Sequence, residues 1–164
     1  MDKTSIPQNS SHLERLCGDA KLFDNKVNEY FLRLTNSVSL IDIRQCYKLA
    51  QALENAWKSQ KRVFICGNGG SAANALHIAN DLHYGTGAPN AKDSSYKPGI
   101  RVEALTANTG ILTCLANDTG YENIFSTQLV VNGSKDDILI VLSGSGNSLN
   151  IVKALETAKT LNMM

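Results

Sequence analysis

The feature that most constrains this chain is an apolar run that stops abruptly at a glycine-rich turn. The run Arg62-Val63-Phe64-Ile65-Cys66 leads directly into Gly67-Asn68-Gly69-Gly70-Ser71. A short run that is apolar on both faces is typical of a strand in a parallel sheet covered by helices on both sides. Glycines after the strand let the backbone adopt positive φ. The pattern therefore predicts a strand, a tight turn and a following helix.

The same unit recurs further along the chain, which has 164 residues and 43% apolar content, enough for one continuous core. Two more apolar runs, at 100–105 and 137–142, predict strands, and helical patterns follow the three strands at 71–84, 109–115 and 147–160. A further helix is expected at 120–130. Helical periodicity also predicts a helix within 13–34 and another within 41–58. We expect a doubly wound parallel α/β sheet with added N-terminal helices. Residues 1–11 are interpreted as a flexible N-terminus and residues 12–164 as a single domain.

Charge and cysteine usage narrow the function classes. The formal net charge is +1 and the basic residues are scattered, which argues against binding to nucleic acid. The four cysteines form no Cys-x-x-Cys pair and are interpreted as reduced core thiols. No segment resembles a signal sequence or a membrane span. We expect a cytoplasmic protein without a membrane or nucleic-acid partner.

Two strand-to-helix turns carry small polar residues suited to an anion. They are Gly67-Asn68-Gly69-Gly70-Ser71 and Ser143-Gly144-Ser145-Gly146-Asn147-Ser148. Free N–H groups at the start of each following helix, together with serine hydroxyls, match a phosphate monoester. The competing interpretation is a pair of tight turns in which Ser71 or Asn147 simply caps a helix. Neither turn has a P-loop or a dinucleotide fingerprint, so we expect no nucleotide cofactor.

Three motifs in order resemble the sugar-isomerase (SIS) domain family, closest to its phosphoheptose isomerases. They are the first glycine turn with Ala72-Ala73-Asn74-Ala75 and His77, then Leu115-Ala116-Asn117-Asp118, then the second serine turn. The resemblance implies a flavodoxin-like five-stranded sheet and a homotetramer with active sites at subunit interfaces. It further implies that sedoheptulose 7-phosphate becomes D-glycero-D-manno-heptose 7-phosphate, a heptose precursor for lipopolysaccharide. By the same resemblance the phosphate ligands are Asn68, Gly69, Ser71, Ser143, Gly144, Ser145 and Ser148.

Ketose-to-aldose conversion through an enediol needs a base near the carbon and an acid near the oxygen. His77 and Asp81 are four residues apart, so they share one helix face. The resemblance implies that Asp81 is the base, in place of a glutamate one methylene longer, and that His77 acts beside it. It also implies a possible Zn²⁺ ion bound by His77 and Asp81. The competing interpretation is a structural histidine and a surface carboxylate, because two ligands alone do not make a metal site.

Departures from the family pattern leave a second function open. Asn108 is assigned to the substrate site, although the heptose isomerases have an aspartate there, and Gly85 replaces an expected arginine. The family pattern continues past Met164 with a strand and a helix that carry the histidine acid, so the chain is expected to lack them. The alternative function is a non-catalytic SIS-type phosphosugar-binding or regulatory protein. Fold similarity alone does not separate an enzyme from such a protein.

Overall fold

A computed structural model describes residues 19–85 and 98–164 of the chain. In order, its elements are α1 (Ala20–Ser39), α2 (Ile43–Lys58), β1 (Arg62–Gly67), α3 (Gly70–Asn80), a π-helical turn (Asp81–Gly85), β2 (Arg101–Ala104), α4 (Thr109–Asp118), a 3-10 turn (Tyr121–Asn123), α5 (Ser126–Asn132), β3 (Ile138–Leu142) and α6 (Leu149–Thr160). Within the described residues, no helix is long and apolar enough to cross a membrane.

The chain divides into two compact units, one ending at Cys46 and the other spanning Tyr47–Met164. Helix α1 belongs to the first unit. Its N-cap residue is Asp19, whose carboxylate accepts hydrogen bonds from the N–H groups of Lys21 and Leu22. None of its residues is buried. The expected flexible segment 1–11 and the start of the first predicted helix lie outside the described residues, and the single domain at 12–164 stays a prediction.

The second unit is built on a three-stranded parallel sheet in the order β2-β1-β3. On one side of β1, Arg62 is paired with Arg101 of β2. On the other side, Gly67 is paired with Leu142 of β3. The chain moves from β1 to one neighbour and then crosses back to the other. Strand order therefore reverses between β1 and β3, which is the switch point of a doubly wound sheet. The predicted α/β fold class is confirmed.

Alternating side chains of β1 fill two separate cores, one on each face of the sheet. Phe64 and Cys66 pack with residues from α4 to α6, including Phe125 and Ile151. Val63 and Ile65 pack on the other face against Ala56 of α2 and Ala75 of α3. All four β1 side chains are fully buried. Burial on both faces explains why β1 appears in the sequence as an uninterrupted apolar run.

Two predicted helix boundaries are wrong in detail. The helix expected at 71–84 changes at Asp81 into a π-helical turn. The helix expected at 120–130 is split into a 3-10 turn and α5. In the second case Gly120 adopts φ +94°, outside the range of a right-handed helix, and the Asn123 side chain hydrogen-bonds the carbonyl of Thr119. Periodicity alone cannot detect either interruption.

Burial of Cys66 makes the fold testable by thiol chemistry. Burial raises the pKa of the Cys66 thiol to about 12, whereas Cys46 and Cys114 are exposed. We expect iodoacetamide at pH 8 to alkylate Cys66 only after unfolding, because the thiolate is the reactive form. Peptide mass mapping of native and urea-unfolded protein measures this. Rapid native labelling of Cys66 would contradict the described core.

The same raised pKa predicts an alkaline loss of stability. An unfolded Cys66 thiol releases its proton near its ordinary pKa of 9.0, while the folded thiol holds it to about 12. The unfolded chain therefore binds fewer protons across that range, and the free energy of unfolding falls as pH rises. Urea denaturation between pH 8 and 10.5 should show that the free energy of unfolding falls more steeply with pH for the wild type than for Cys66→Ala. Parallel declines would rule out this contribution.

Candidate functional site

The sheet register brings two loops together at the carboxyl ends of β1 and β3. Loop A (residues 67–71) follows β1 and loop B (residues 143–148) follows β3. Gly67 and Leu142, the last residues of these strands, are paired in register. The two loops therefore start side by side at the switch point, where open α/β sheets bind ligands. Seven of the eight residues assigned to substrate or phosphate binding lie in these two loops.

Loop A depends on glycine for a close approach to its neighbours. A Cβ atom added to Gly67 would lie 2.7 Å from Ser71 Cβ and 2.9 Å from the Leu142 carbonyl oxygen. Gly69, the N-cap residue of α3, adopts φ +55° and provides no side-chain hydrogen bond to the helix. The first turn of α3 thus begins without a side-chain cap. The N–H groups of Ser71 and Ala72 already donate to the carbonyls of Asn68 and Gly69. The Gly70 N–H, which has no partner among the described residues, and the positive end of the helix dipole favour an anion at this point.

Loop B starts a second helix in the same way. Its serines form local turns, with Ser143 Oγ accepting from the Gly146 N–H at 3.0 Å and Ser145 Oγ accepting from the Asn147 N–H at 3.3 Å. As acceptors, both hydroxyls keep their own protons available for donation. Ser148 is the N-cap of α6 and makes no side-chain cap hydrogen bond. Neither Ser71 nor Asn147 caps a helix with its side chain, so the capping part of the competing interpretation is wrong, whereas its tight turns are present.

A buried amide pair, which the sequence patterns did not single out, joins loop A to helix α6. Asn68 and Asn150 exchange two side-chain hydrogen bonds, at 3.0 and 2.8 Å. The Tyr121 hydroxyl adds a third by donating to Asn68 Oδ1 at 3.1 Å. Asn150 is only 2% exposed. These three residues, together with Glu122, Ser148 and Leu149, line a cleft of about 310 Å³ beside the loops.

Asn150 and Tyr121 therefore position Asn68, one of the predicted ligands. A polar residue inside the apolar stripe of α6 was the available sequence signal for Asn150, because a buried amide requires partners. Tyr121 had no comparable signal. A further polar group lies just past β2, where Thr106 Oγ1 is buried and has no hydrogen-bond partner among the described residues.

His77 and Asp81 form a pair near the other end of α3. His77 Nε2 lies 3.4 Å from Asp81 Oδ2, and their side chains are 77% and 61% exposed. Asp81 is also the first residue of the π-helical turn. The chain returning to β2 packs tightly on this turn: a Cβ on Gly99 would lie 1.7 Å from the His83 carbonyl oxygen. The Ile100 N–H donates to the Leu82 carbonyl. The end of α3 is thereby tied to the sheet.

The predicted pair and the predicted phosphate loops are not adjacent within one chain. Asp81 lies ten positions after Ser71, which at 1.5 Å per residue is about 15 Å along the helix axis. An extended seven-carbon sugar with its phosphate reaches about 10 Å, given bonds near 1.5 Å. Loop A and Asp81 of the same chain therefore lie at opposite ends of the helix, farther apart than the length of the sugar phosphate itself.

Asn108, the remaining predicted substrate residue, has a structural role. Its Oδ1 accepts a hydrogen bond from the Ile111 N–H at 3.1 Å and so caps the start of α4. The side chain is exposed, and its amide N–H₂ group remains available to a ligand. Gly85 ends the π-helical turn, with open space where a side chain would project.

The described residues do not assemble a zinc site by themselves. Zinc in proteins takes three or four nitrogen, sulfur or oxygen ligands from side chains. His77 and Asp81 supply two donors of suitable type, but residues 19–85 and 98–164 contain no group of three or more potential ligands. The zinc ion stays a prediction, and no step of the chemistry below depends on it.

A doubly wound sheet with two helix starts at its switch point defines an α/β domain of the class that binds ligands at the carboxyl ends of its strands. The chain belongs to the SIS domain family, whose sequence profile matches residues 28–164. The predicted family membership is confirmed.

Among its relatives, a phosphoheptose isomerase of Helicobacter pylori is 44% identical over 115 residues, covering 70% of this chain and 54% of the relative. Phosphoheptose isomerase 2 of Campylobacter jejuni is 40% identical over 133 residues, covering 81% and 60%. The structure of phosphoheptose isomerase from Neisseria gonorrhoeae superposes with a TM-score of 0.73 and 28% identity, covering 86% of this chain and 71% of that one. The chain thus spans little more than half the length of the first of these relatives.

The amide pair generates a testable prediction. Asn150→Ala should leave the Asn68 amide without its two reciprocal bonds, lowering the free energy of unfolding by about 1–3 kcal/mol. Urea denaturation measures the loss, and binding of inorganic phosphate should weaken in the same variant because Asn68 is no longer held. Asn74→Ala, on the exposed face of α3, is the matched control. Equal stability of the two variants would show that the pair contributes nothing.

Proposed function

We propose that the protein is a ketose-aldose isomerase of phosphosugars that converts sedoheptulose 7-phosphate to D-glycero-D-manno-heptose 7-phosphate. The observation that carries the proposal is the pair of uncapped helix starts, α3 and α6, held side by side by the β1–β3 register. The relatives named phosphoheptose isomerase support this choice of substrate. The proposed assignment also implies a small-molecule substrate of carbohydrate metabolism.

In this proposal loops A and B bind the phosphate. The hydroxyls of Ser71, Ser143, Ser145 and Ser148 donate to phosphate oxygens, together with backbone N–H groups at Gly69 and Gly144. Asn68 is oriented by Asn150 and adds a polar contact at the cleft wall. Neutral donors and helix dipoles suit a phosphate that must be released again after each turnover, because loops A and B contain no charged side chain.

The proton transfer is assigned to the exposed pair on α3. The Asp81 carboxylate takes the proton from C1 of the ketose, the electrons form the C1–C2 double bond, and the C2 carbonyl oxygen gains a proton to give the enediol. The proton is then returned to C2 while the C1 hydroxyl loses its proton, which gives the aldose. His77 lies 3.4 Å from the carboxylate and can orient it through a hydrogen bond. A zinc ion bound through His77 and Asp81 remains part of the proposal as an expectation from the family.

The separation of about 15 Å between Ser71 and Asp81 supports an active site shared between subunits. In the proposed homotetramer, the phosphate loops of one subunit and the base of another act on one substrate molecule. Helix α1 supports such an assembly, because its apolar side chains are exposed in the single chain: Phe23 is 52%, Phe31 56% and Val38 56% exposed. Apolar patches of this kind mark association surfaces.

A second candidate function is a non-catalytic phosphosugar-binding or regulatory protein. Asn108 favours it, since its Oδ1 is committed to capping α4 where the isomerases have an aspartate. The shorter carboxylate at Asp81 favours it as well. Moving a catalytic carboxylate by about 1 Å can cost on the order of a hundredfold in rate. Both candidates bind a phosphosugar, and only the isomerase exchanges its C1 proton.

Proton NMR of sedoheptulose 7-phosphate in D₂O separates the two candidates. We expect the wild-type protein to exchange the C1 proton and produce aldose signals, and Asp81→Asn to abolish both while leaving line broadening from binding unchanged. Glu156→Gln, an exposed carboxylate on α6, is the control. Binding without exchange in the wild type would favour the non-catalytic protein. The same assay with and without added zinc measures the contribution of the metal.

Lengthening the proposed base is the complementary test. Asp81→Glu restores the reach that the family pattern has at this position, so kcat should rise by about tenfold to a hundredfold with KM little changed. Steady-state kinetics on sedoheptulose 7-phosphate measure both constants. A fall in kcat would mean that the backbone here already compensates for the shorter side chain.

The shared site predicts that assembly and activity are lost together. Phe31→Asp places a charge on the exposed apolar face of α1 and should shift the light-scattering mass from tetramer towards smaller species. Isomerase activity should fall with it. Asn28→Asp, at an exposed polar position of the same helix, is the control. Full activity in a monomeric Phe31→Asp protein would contradict the shared site.

A further inference from the structure

A second cleft lies at the amino-terminal edge of the sheet, opposite loops A and B. It has a volume of about 470 Å³ and is lined by Gln60, Lys61, Arg62, Arg101, Val131, Asn132, Ser134 and Asp137. Arg62 and Arg101 are the first residues of β1 and β2. With β1 rising about 3.3 Å per residue, the cleft is about 16 Å from the phosphate loops. The two sites are therefore separate.

Three cationic side chains converge on this cleft. Arg62 and Arg101 are paired in register on neighbouring parallel strands, so their side chains leave the same face of the sheet about 5 Å apart. Lys61 lies next to them in sequence and also lines the cleft. Like charges directly opposite one another destabilise a sheet unless something compensates them. The arrangement therefore favours binding of a counter-charge.

Residues 19–85 and 98–164 supply little of that counter-charge. Arg101 Nη1 donates to the Gln60 carbonyl and Lys61 Nζ to the Lys135 carbonyl, both neutral acceptors. Among residues 19–85 and 98–164, the Arg62 guanidinium, although half-buried, makes no hydrogen bond or ion pair. A half-buried cation without a partner is costly and is normally paired.

The nearby carboxylates are engaged or distant. Asp137, only 3% exposed, accepts from the N–H groups of Arg62 at 2.8 Å and Ser134 at 2.9 Å. Asp136 lies 4.0 Å from Lys61 and is exposed. Glu103 lies two residues beyond Arg101 on the same strand face, but forms no ion pair within the described part of the chain. The cleft lining carries three positive charges, on Lys61, Arg62 and Arg101, and one negative charge, on Asp137. Its net charge is therefore about +2.

We propose that this cleft binds a small phosphorylated anion through Arg62, Arg101 and Lys61. The two guanidinium groups provide planar forks that match phosphate oxygens, and Lys61 adds a point charge. Ser134 and Asn132 add neutral polar groups at the wall. The volume exceeds that of one phosphate group and suits a phosphorylated metabolite. Because the cleft is far from loops A and B, the anion is a second ligand beside the substrate.

Isothermal titration calorimetry with inorganic pyrophosphate tests the cleft at Arg62 and Arg101 in the full chain. The parent protein for the test carries Ser143→Ala and Ser145→Ala, which weaken the binding of the same probe at loop B. We expect it to bind pyrophosphate, and the added double substitution Arg62→Gln and Arg101→Gln to weaken binding by at least about tenfold through loss of charge-assisted hydrogen bonds. Arg44→Gln with Lys159→Gln removes the same charge at exposed positions elsewhere and should leave binding unchanged.

Three results would overturn the proposal. The first is no pyrophosphate binding by the parent at millimolar concentration. The second is equal weakening in both double variants, which would show a non-specific charge effect. The third is a lower melting temperature with unchanged binding in the arginine variant, which would give the arginines a structural role only. If the double variant does not fold, Arg101→Gln alone, at an exposed residue, should still weaken binding several-fold.

Discussion

The in-register pairing of β1 with β3 is the constraint on which the site depends. It fixes Gly67 beside Leu142, so the loops after the two strands leave the sheet at the same level. Any side chain at Gly67 would collide with Ser71 and with the neighbouring strand. Both the close contact with the neighbouring strand and the tight turn into α3 therefore require glycine at position 67. Two helix starts can point at one anion only because the sheet sets their spacing.

Helix α3 connects the proposed phosphate site to the proposed chemistry. Its first turn is open to a ligand, and its last turn passes into the π-helical segment at Asp81. π-Helical turns occur often at functional sites, where they redirect side chains without ending the helix. Here the turn is held by the packing of Gly99 against His83. The catalytic assignment thus rests on a helix whose two ends are fixed by different parts of the sheet.

Strands, glycine loops and family membership could be predicted from the sequence because each leaves a local pattern. Phe64 and Cys66 alternate with Val63 and Ile65, and this apolar run gave β1 directly. Asn150 could not be assigned in the same way, because its importance lies in a partner 82 positions earlier. Arg62 and Arg101 are 39 positions apart in the sequence and appeared there as scattered charges. Only the strand register makes them neighbours. Contacts that depend on register are absent from any single sequence window.

The single tryptophan gives the protein a built-in optical reporter. Trp57 packs against the core on the α3 face of the sheet, and its indole N–H donates to the Pro98 carbonyl at 2.8 Å. Pro98 leads into Gly99 and Ile100, the residues that secure the turn carrying Asp81. Intrinsic fluorescence of the native chain therefore follows the docking of that segment. A change in emission would register movement around the proposed base without any added label.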